Sequence, residues 1–435
     1  MVKALNLRFP SVSPQRRRRQ SERAVSPRPS VGPAEVESAA ATIAGKVLRT
    51  PLVKAPQFSG LPDVPVYLKL ENLQRTGAFK LRGALNCIAQ LTEAQARRGV
   101  IAASGGNHAQ GVAWAAKERG IPATIVMARS ASPLKVSSTE ALGATVVLEG
   151  TNYDEASDEA SKRAREEGLT LIHPFDDPWI IAGQGTVGKE ILEDLPSVRR
   201  IVAGVGGGGL LAGIAAAVAN VTPRVDIVGI QPEGADTLRS ALARHRVVLG
   251  PRPNTFADGL ATRHVGELPL RLLEAAHAQA FTVDDRTIAR AVFLLLEQAK
   301  VLAEGAGAAP LAGLLRYPGL VKNGPVVLVV SGGNLDPFLL DRILFIGLSA
   351  EGRLVRIKAG LRDTPGQLAE FLKIAAEANA NIRHIVHGRE SPDRVPGEVS
   401  VEVELEVRDA PHAARVMAEY RRRGWRVEQI PFQVA

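Results

Sequence analysis

Short β-rich runs alternate with helical patterns from about residue 35 to residue 345, and this alternation restricts the fold more than any other feature of the chain. Consecutive strands that are joined by helices build a parallel sheet with helices on both faces. A stretch of about three hundred residues is too long for one such sheet, so the sequence predicts two α/β lobes. The predicted strands are VPVYLKL, GVIAAS, ATIVMA, TVVLEG, RIVAGVG, VDIVGIQ and PVVLVVSGG.

The pattern changes near residue 350, where a smaller arrangement begins. Strand and helix signals follow one another in the order βαββαβ, which is typical of a ferredoxin-like fold. The segment EVSVEVELEV alternates apolar residues with mostly acidic ones, as expected for an antiparallel strand that is buried on one face. We therefore predict a separate C-terminal domain over residues 350–435.

The first 34 residues are predicted to be a disordered basic tail, because they are rich in Arg, Ser and Pro. The whole chain has a formal net charge of +9, and residues 1–33 contribute eight basic residues against Glu22 alone. The folded part is therefore close to neutral, and we expect no nucleic-acid partner, since no aromatic residues interleave the arginines of SVSPQRRRRQSERAVSPRPSVGP. An organelle transit peptide, a dispensable extension and a translation start placed too far upstream are alternative interpretations of this segment.

The composition argues against a membrane span, an intrachain disulfide and a metal site. The apolar runs are shorter than the roughly 18 to 20 residues that cross a bilayer, so we expect no membrane span. Cys87 is the only cysteine, which excludes an intrachain disulfide and favours a reducing, cytoplasmic location. The eight histidines include no H-E-x-x-H motif, and we predict no metal site.

The strongest local signal is the run of four glycines from Gly206 to Gly209 in RIVAGVGGGGLLAGIAAAVAN. A predicted strand leads into the glycines, and a helix is predicted to begin at about Leu210. Consecutive glycines let backbone N–H groups converge, and the helix N-terminus adds the positive end of its dipole, so the loop is a predicted phosphate site. Gly204, Gly206 and Gly209 also match G-x-G-x-x-G, which keeps a dinucleotide-dependent oxidoreductase as an alternative, although that motif normally opens the first βα unit of its domain.

Two further loops follow predicted strands in the same way. In VIAASGGNHAQGVAWAA, the residues at the start of the predicted helix are Ser104, Gly105, Gly106 and Asn107. Their backbone N–H groups and the Asn amide suit a carboxylate, whereas His108 is interpreted as a helix-start histidine with an ordinary hydrogen bond. The run VVLVVSGGN ends a buried strand with Ser331, and ligands of α/β proteins bind at the carboxyl ends of parallel strands.

Lys80 lies at the start of an apolar helical stripe in ENLQRTGAFKLRGALNCIAQ. Ala84, Ile88 and Leu91 follow it at four, eight and eleven residues, which is the spacing of one helix face. A free ammonium is costly there unless the side chain extends to solvent. The lysine is less costly if it forms an imine with an aldehyde, because imine formation removes the ammonium charge. Together with the predicted phosphate site and the predicted carboxylate site, it indicates an aldehyde cofactor that carries a phosphate group and acts on an amino acid.

These motifs, in this order, resemble those of the serine/threonine dehydratases, which are pyridoxal-phosphate enzymes of fold type II, the tryptophan-synthase-β-like fold. The lysine signature is ENLQRTGAFKLRGA, and the other matching motifs are SGGNHAQG, GVGGGGLLAG and VVSGGN. The resemblance implies a two-lobed catalytic region over residues 35–349, with a smaller lobe of roughly residues 85–178 inserted in the larger one. The C-terminal part resembles an ACT domain, with DTPGQLAEFLKIAAEANANIRHIVH as its core.

The resemblance also implies a role for each motif residue. Lys80 would form the Schiff base with pyridoxal 5'-phosphate and later act as the base, and Ser331 would face the pyridine nitrogen. Phe79 would pack beside the ring, and Asn107 would hydrogen-bond the ring hydroxyl. The phosphate would be held by backbone N–H groups of Gly206, Gly207, Gly208, Gly209 and Leu210. The substrate would be contacted by Ser104, Gly105, Gly106, Asn107 and, in the segment FADGLA, Asp258.

The activity implied by the resemblance is β-elimination of an amino acid, from L-threonine to 2-oxobutanoate and ammonia, with L-serine to pyruvate as a side activity. Gly105 stands where the related serine racemases carry a serine, so elimination without racemisation is expected. The ACT domain implies an amino-acid effector, isoleucine or valine, in a homodimer or homotetramer that serves isoleucine biosynthesis or threonine degradation. A serine-preferring dehydratase of the same family and a non-catalytic amino-acid sensor are the alternatives.

Overall fold

The computed structural model of the chain describes residues 31–59, 64–322, 324–389 and 397–432. The predicted basic tail lies outside these ranges except for its last four residues. The described residues form fourteen β-strands and fifteen α-helices. None of these helices combines the length and the apolar character that crossing a membrane requires.

The elements alternate along the chain. The strands are β1 Leu52–Lys54, β2 Val66–Leu70, β3 Val100–Ala103, β4 Ala123–Met127, β5 Thr145–Leu148, β6 Thr170–Leu171, β7 Arg200–Gly204, β8 Asp226–Pro232, β9 Gln279–Val283, β10 Val326–Val330, β11 Leu354–Arg362, β12 Asn381–Gly388, β13 Glu398–Glu406 and β14 Val427–Ile430. The helices are α1 Pro33–Ile43, α2 Lys80–Ala89, α3 Glu93–Arg98, α4 Asn107–Arg119, α5 Pro133–Ala141, α6 Tyr153–Glu166, α7 Pro178–Asp194, α8 Gly209–Ala217, α9 Leu238–Arg244, α10 Glu267–Ala275, α11 Asp285–Ala299, α12 Gly305–Arg316, α13 Pro337–Ala350, α14 Gln367–Glu377 and α15 Ala410–Arg422. Short 3₁₀ turns lie at Pro56–Phe58, Glu71–Leu73, Glu233–Ala235, Asp258–Leu260 and Pro318–Leu320.

The larger sheet has six strands in the order β1-β2-β10-β7-β8-β9. All neighbouring strands are parallel except β1 and β2, so the sheet is mixed at this edge. The central strands β7 and β10 are buried along their whole length, which explains their nearly continuous aliphatic sequence. Helices α7 and α8 share a core with Ile201 and Val327 on one face, and α11 and α12 share a core with Val202 and Val326 on the other.

The smaller sheet has four strands in the order β5-β4-β3-β6, all parallel. These strands fall within residues 85–178, the stretch that the resemblance marks as the inserted lobe. Helix α4 lies on one face, where Val112 packs in the same core as Val100. Helix α6 lies on the other face, where Ala156 packs with Ile101.

The C-terminal sheet is antiparallel, with the strand order β12-β13-β11-β14, and its elements follow the order βαββαβ. This is the ferredoxin-like arrangement that the sequence predicts. The alternation in β13 is confirmed, because its buried residues are Val399, Val401, Val403 and Leu405. Helices α14 and α15 pack on that face, where the rings of Phe371 and Tyr420 have centroids 4.6 Å apart.

Every strand that the sequence predicts is present, and three further strands, β1, β6 and β9, are not anticipated. The first two contain only three and two residues, which is too few for an alternation to be recognised. Strand β9 is a sheet edge on which only Val283 is buried, so its sequence lacks the apolar run of the inner strands.

Four charged side chains form a buried network between β2, α2 and α7. Arg82 in α2 donates to both oxygens of Glu71 at 2.8 Å, and to the two oxygens of Glu190 at 2.7 and 3.0 Å. Lys69 Nζ donates to Glu190 at 2.6 Å and to the carbonyl oxygen of Thr50 at 2.7 Å. The charges of two positive and two negative groups thus cancel in the interior. Their hydrogen bonds hold the first turn of α2 against β2 and α7.

Candidate active site

Lys80 is the first residue of α2, and it is half-buried at the carboxyl edge of the larger sheet. The backbone N–H of Phe79 donates to the carbonyl oxygen of Ser331 at 3.1 Å, so the helix begins against the end of β10. Lys80 Nζ donates to the carbonyl oxygen of Pro174 at 2.7 Å, in the loop that follows β6. The structure therefore brings together the predicted lysine, Phe79 and Ser331.

The surroundings of Lys80 change its proton affinity. Burial lowers the pKa of Lys80 to about 8, although the negative charge of Glu304 opposes this shift. Nζ also lies 5.3 Å from the centroid of the Phe79 ring. An amine with this pKa is partly unprotonated at neutral pH, and the unprotonated amine is the form that acts as a nucleophile or as a general base. The side chain is therefore suited to both roles that the resemblance implies.

The four glycines form the turn between β7 and α8, and residues 204–210 are buried. Gly208 has a φ of 92°, in the left-handed region that glycine adopts without strain. Within the described ranges, no atom accepts a hydrogen bond from the backbone N–H groups of residues 206–210. Buried donors without partners are rare because each costs free energy, so this turn is suited to an anion.

Close packing holds the glycine turn beside the lysine. A Cβ atom at Gly207 would lie 2.2 Å from ring atoms of Phe175, so the ring rests directly on the turn. Phe175 follows Pro174, whose carbonyl oxygen accepts from Lys80, and the turn is therefore adjacent to the amine. Pyridoxal phosphate needs donors for a phosphate and a nearby amine for an aldehyde carbon, and the residues present fit both needs.

Residues 104–107 form the second predicted cradle, between β3 and α4. The N–H of Gly106 donates to Ser104 Oγ at 3.1 Å, whereas the N–H groups of Gly105 and Asn107 have no acceptor among the described residues. A Cβ atom at Gly105 would meet no heavy atom within 4 Å, so this turn faces open space. It is thus suited to the carboxylate of a small substrate.

His108 makes the ordinary hydrogen bond that the sequence predicts. Its Nε2 lies 2.9 Å from the carbonyl oxygen of Ile172, so this nitrogen carries the proton. Burial, together with the positive charge of Lys80, lowers the pKa of His108 to about 3. The imidazole is therefore neutral and has a structural role. Across the described ranges, no group of three or more His, Cys, Asp or Glu side chains is arranged to hold a metal ion.

Asn107 contacts two residues to which the sequence assigns no role. Its Nδ2 donates to Glu304 Oε1 at 2.6 Å, and its Oδ1 accepts from Asn334 Nδ2 at 2.7 Å. Asn334 also donates to the carbonyl oxygen of Thr76 at 2.9 Å. Asn334 is part of the VVSGGN motif, which could have identified it, whereas Glu304 lies in AEGAGAA, a segment without a distinctive pattern.

Asp258 lies at the rim of the site rather than inside it. Its side chain is 73% exposed and accepts a hydrogen bond from Lys135 Nζ at 2.8 Å. Lys135 belongs to α5, which packs on the smaller sheet, so the pair connects that region to the turn at Asp258–Leu260. The contact of Asp258 with substrate stays a prediction.

Replacing Gly207 with alanine will weaken cofactor binding about ten- to hundredfold, because the new methyl group displaces either the Phe175 ring or the turn that carries the N–H groups. Titration of the purified apoprotein with pyridoxal phosphate, followed by absorbance, measures this effect. Gly319→Ala is the control, since a Cβ atom there meets only the end of the Lys322 side chain, at 3.7 Å. Unchanged affinity in Gly207→Ala would contradict the assignment of this turn.

Known proteins resemble this chain over most of its length. Residues 43–332 match the family described as pyridoxal-phosphate dependent enzyme. The chain is 43% identical over 396 residues to an L-threonine ammonia-lyase of Thermotoga maritima, which covers 91% of this chain and 98% of the relative. The solved processed form of threonine deaminase isoform 2 from Solanum lycopersicum is 34% identical, with a TM-score of 0.68 over 73% of this chain and 90% of its own. Maize serine racemase is 33% identical, with a TM-score of 0.68 over 74% of this chain and 99% of its own.

Proposed function

The chain belongs to the pyridoxal-phosphate dependent enzymes, and on this basis we propose that it is a lyase that converts L-threonine to 2-oxobutanoate and ammonia. The observation that carries the proposal is the position of Lys80 beside the glycine turn, whose unpaired backbone N–H groups suit a phosphate. The N–H groups suited to a carboxylate lie at the start of α4, the helix whose Gly111 packs against the Lys80 backbone. Similarity to the L-threonine ammonia-lyase of Thermotoga maritima over 91% of the chain supports threonine as the substrate.

The motif residues hold the cofactor in this proposal. When bound, pyridoxal 5'-phosphate acidifies the α-carbon of an amino acid by accepting electrons into its ring. The backbone N–H groups of residues 206–210 would hold its phosphate, and Phe79 would pack beside its ring. Ser331 would face the ring nitrogen, and Asn107 would donate to the ring oxygen.

Lys80 has two tasks in the reaction. Its amine holds the cofactor until the substrate displaces it, and the freed amine then takes the α-proton of threonine as a general base. The pKa of about 8 that burial produces leaves part of the amine unprotonated for this step. Residues 104–107 bind the substrate carboxylate, which directs the α-proton at Nζ. The α-proton that Lys80 takes balances the proton that the β-hydroxyl needs to leave as water, and one water is then consumed when the amino group departs as ammonia.

Steady-state rates with L-threonine and L-serine test the choice of substrate. We expect a higher kcat/KM for threonine and a measurable conversion of serine to pyruvate. A higher value for serine would favour the serine-preferring dehydratase instead. A protein that binds the cofactor but eliminates neither amino acid would overturn the proposal and favour the non-catalytic sensor.

We further propose that residues 350–435 form an ACT domain that binds isoleucine or valine in a homodimer or homotetramer. The βαββαβ order supports this, as does the edge strand β12, on which Ile385 and Val386 are 37% and 44% exposed. The effector would lie near the turn at residues 363–368 and the start of β12, where two copies pair. Repeating the threonine assays with added isoleucine should change the rate, and no change in rate or binding would favour a purely oligomerising domain.

A cytoplasmic role in isoleucine biosynthesis or threonine degradation completes the proposal. The single cysteine, Cys87, is buried and unpaired, which fits a reducing compartment. The dinucleotide-dependent oxidoreductase has less support, because the glycine turn follows β7 and not the first strand of the sheet.

A further inference from the structure

We propose that Glu304 is a positioning residue of the candidate active site, whose carboxylate orients the Asn107 side chain so that one amide N–H stays directed at the cofactor's ring oxygen. The inference rests on the proposed function and assigns a role to a residue that lies outside the matching motifs. The contact that carries it is the hydrogen bond from Asn107 Nδ2 to Glu304 Oε1, at 2.6 Å.

Glu304 occupies the N-cap position of α12, but its side chain does not cap that helix. A polar side chain at this position commonly accepts hydrogen bonds from the N–H groups of the first turn. The carboxylate instead turns toward Asn107, and the backbone N–H of Glu304 donates to the carbonyl oxygen of Gly332 at 3.1 Å. The residue is thus anchored next to Ser331 and faces the site rather than its own helix.

Gly332 leaves the space that this contact needs. A Cβ atom at Gly332 would lie 2.5 Å from Glu304 Oε1 and 3.1 Å from Asn107 Nδ2. Any larger residue at that position would displace the carboxylate, so the backbone of the VVSGGN motif and the Glu304 side chain are fitted to one another.

The remaining hydrogen bonds decide how the Asn107 amide is turned. Its Oδ1 accepts from Asn334 Nδ2 at 2.7 Å, and Asn334 is held in turn by the carbonyl oxygen of Thr76 at 2.9 Å. An ionised carboxylate can only accept, so the Asn107 amide must present Nδ2 to Glu304. One N–H of that group is used there, and the second is free for the ring oxygen.

The charged groups around Glu304 make its hold on Asn107 sensitive to pH. Burial raises the pKa of Glu304 to about 7; the Asn107 hydrogen bond and the charges of Lys135 and Lys80 oppose this, whereas Asp258 adds to it. A protonated carboxyl can donate as well as accept, and it no longer specifies which way the amide is turned. As the pH falls through about 7, Glu304 therefore stops fixing the Asn107 amide, and only the hydrogen bond from Asn334 still orients it.

A double-mutant cycle on cofactor affinity tests this role. The folded apo forms of the wild type, Glu304→Ala, Asn107→Ala and the double variant are titrated with pyridoxal phosphate. Each single change is expected to weaken binding about tenfold, and the double variant to bind no more weakly than Asn107→Ala, because Glu304 acts through Asn107. A double variant whose loss is the product of the two single losses would overturn the proposal.

A second variant, Glu304→Gln, keeps the size of the side chain and removes its charge. The ratio of wild-type to variant affinity is expected to fall from about ten near pH 8.5 to about one near pH 6. The Glu304 charge also raises the pKa of Lys80, so the titration of Lys80 is followed in both proteins and its contribution is subtracted. A ratio that does not change with pH would overturn the proposal.

The matched control is Asp284→Asn. Asp284 is an N-cap carboxylate that does cap its own helix, α11, by accepting from the N–H of Thr287 at 2.9 Å, and its replacement should leave the cofactor affinity unchanged. Threonine turnover by the wild type separates the two proposals. If the wild type turns over threonine but the two single losses of affinity multiply in the double variant, only the role of Glu304 is refuted. If the double variant binds as expected but the wild type does not turn over threonine, only the proposed reaction is refuted.

Discussion

Lys80→Ala will lower kcat for threonine elimination by at least about a thousandfold, because one side chain both holds the cofactor and acts as the base. Lys135, a second lysine near the site, cannot replace it, since its ammonium is paired with Asp258 at 2.8 Å. Initial rates of 2-oxobutanoate formation measure the loss. The visible absorbance of the bound cofactor should change to that of the free aldehyde at the same time.

The control for this change is Lys117→Ala, which removes an exposed lysine from the last turn of α4. Its rate and its absorbance should match those of the wild type. A Lys80→Ala protein that kept more than about a tenth of the wild-type rate would show that another group removes the α-proton.

Arg82→Met will lower the free energy of unfolding by about 3–5 kcal/mol near neutral pH, because it leaves two buried carboxylates, those of Glu71 and Glu190, against the single charge of Lys69. Urea denaturation followed by tryptophan fluorescence measures this. Arg49→Met is the matched control, since the Arg49 side chain is 51% exposed. Its ion pairs face solvent, and their loss should cost less than about 1 kcal/mol.

The pH dependence of the Arg82→Met effect follows from Glu71. Burial acts to raise the pKa of Glu71, but the charge and the hydrogen bonds of Arg82 outweigh it and hold that pKa below its ordinary value. In the wild type this carboxylate therefore stabilises the fold above its ordinary pKa, and that contribution is lost as the pH falls through the lower, folded pKa. Without Arg82, burial dominates and the pKa of Glu71 rises. In mild acid Glu71 is then protonated, so the variant loses less unfolding free energy there than at neutral pH. A loss of stability that is equal at about pH 7.5 and pH 5.5 would contradict this account.

Lys80, the glycine turn and Ser331 could be located from the sequence because each stands where a strand meets a helix or a loop. Such junctions are marked by glycines and by a change from a period of two to a period of about 3.6. The alternation in β13 was equally clear, since one face of that strand is buried and the other is not. These signals are local, and they need no knowledge of which elements are neighbours.

The contact between Asn107 and Glu304 could not be predicted in this way, because it joins residues that are 197 positions apart. Arg82 lies inside the lysine signature, yet a helical pattern alone suggests an exposed arginine there. Its burial depends on Glu190, which α7 supplies from a distant part of the chain. Polar contacts between loops, and between buried charged groups, produce no periodic pattern in the sequence. Only the three-dimensional structure shows them.

The unpaired N–H groups of residues 206–210 converge only in the folded protein, so a cofactor that binds them shifts the equilibrium between the folded and unfolded forms. A ligand that binds only the folded form stabilises it by RT ln(1 + [L]/Kd), which is about 2.7 kcal/mol when its concentration is a hundred times Kd. Chains made while the cofactor is scarce are therefore expected to spend more time unfolded and to be degraded faster. We expect the amount of this protein that accumulates, as well as its active fraction, to rise with the supply of pyridoxal phosphate.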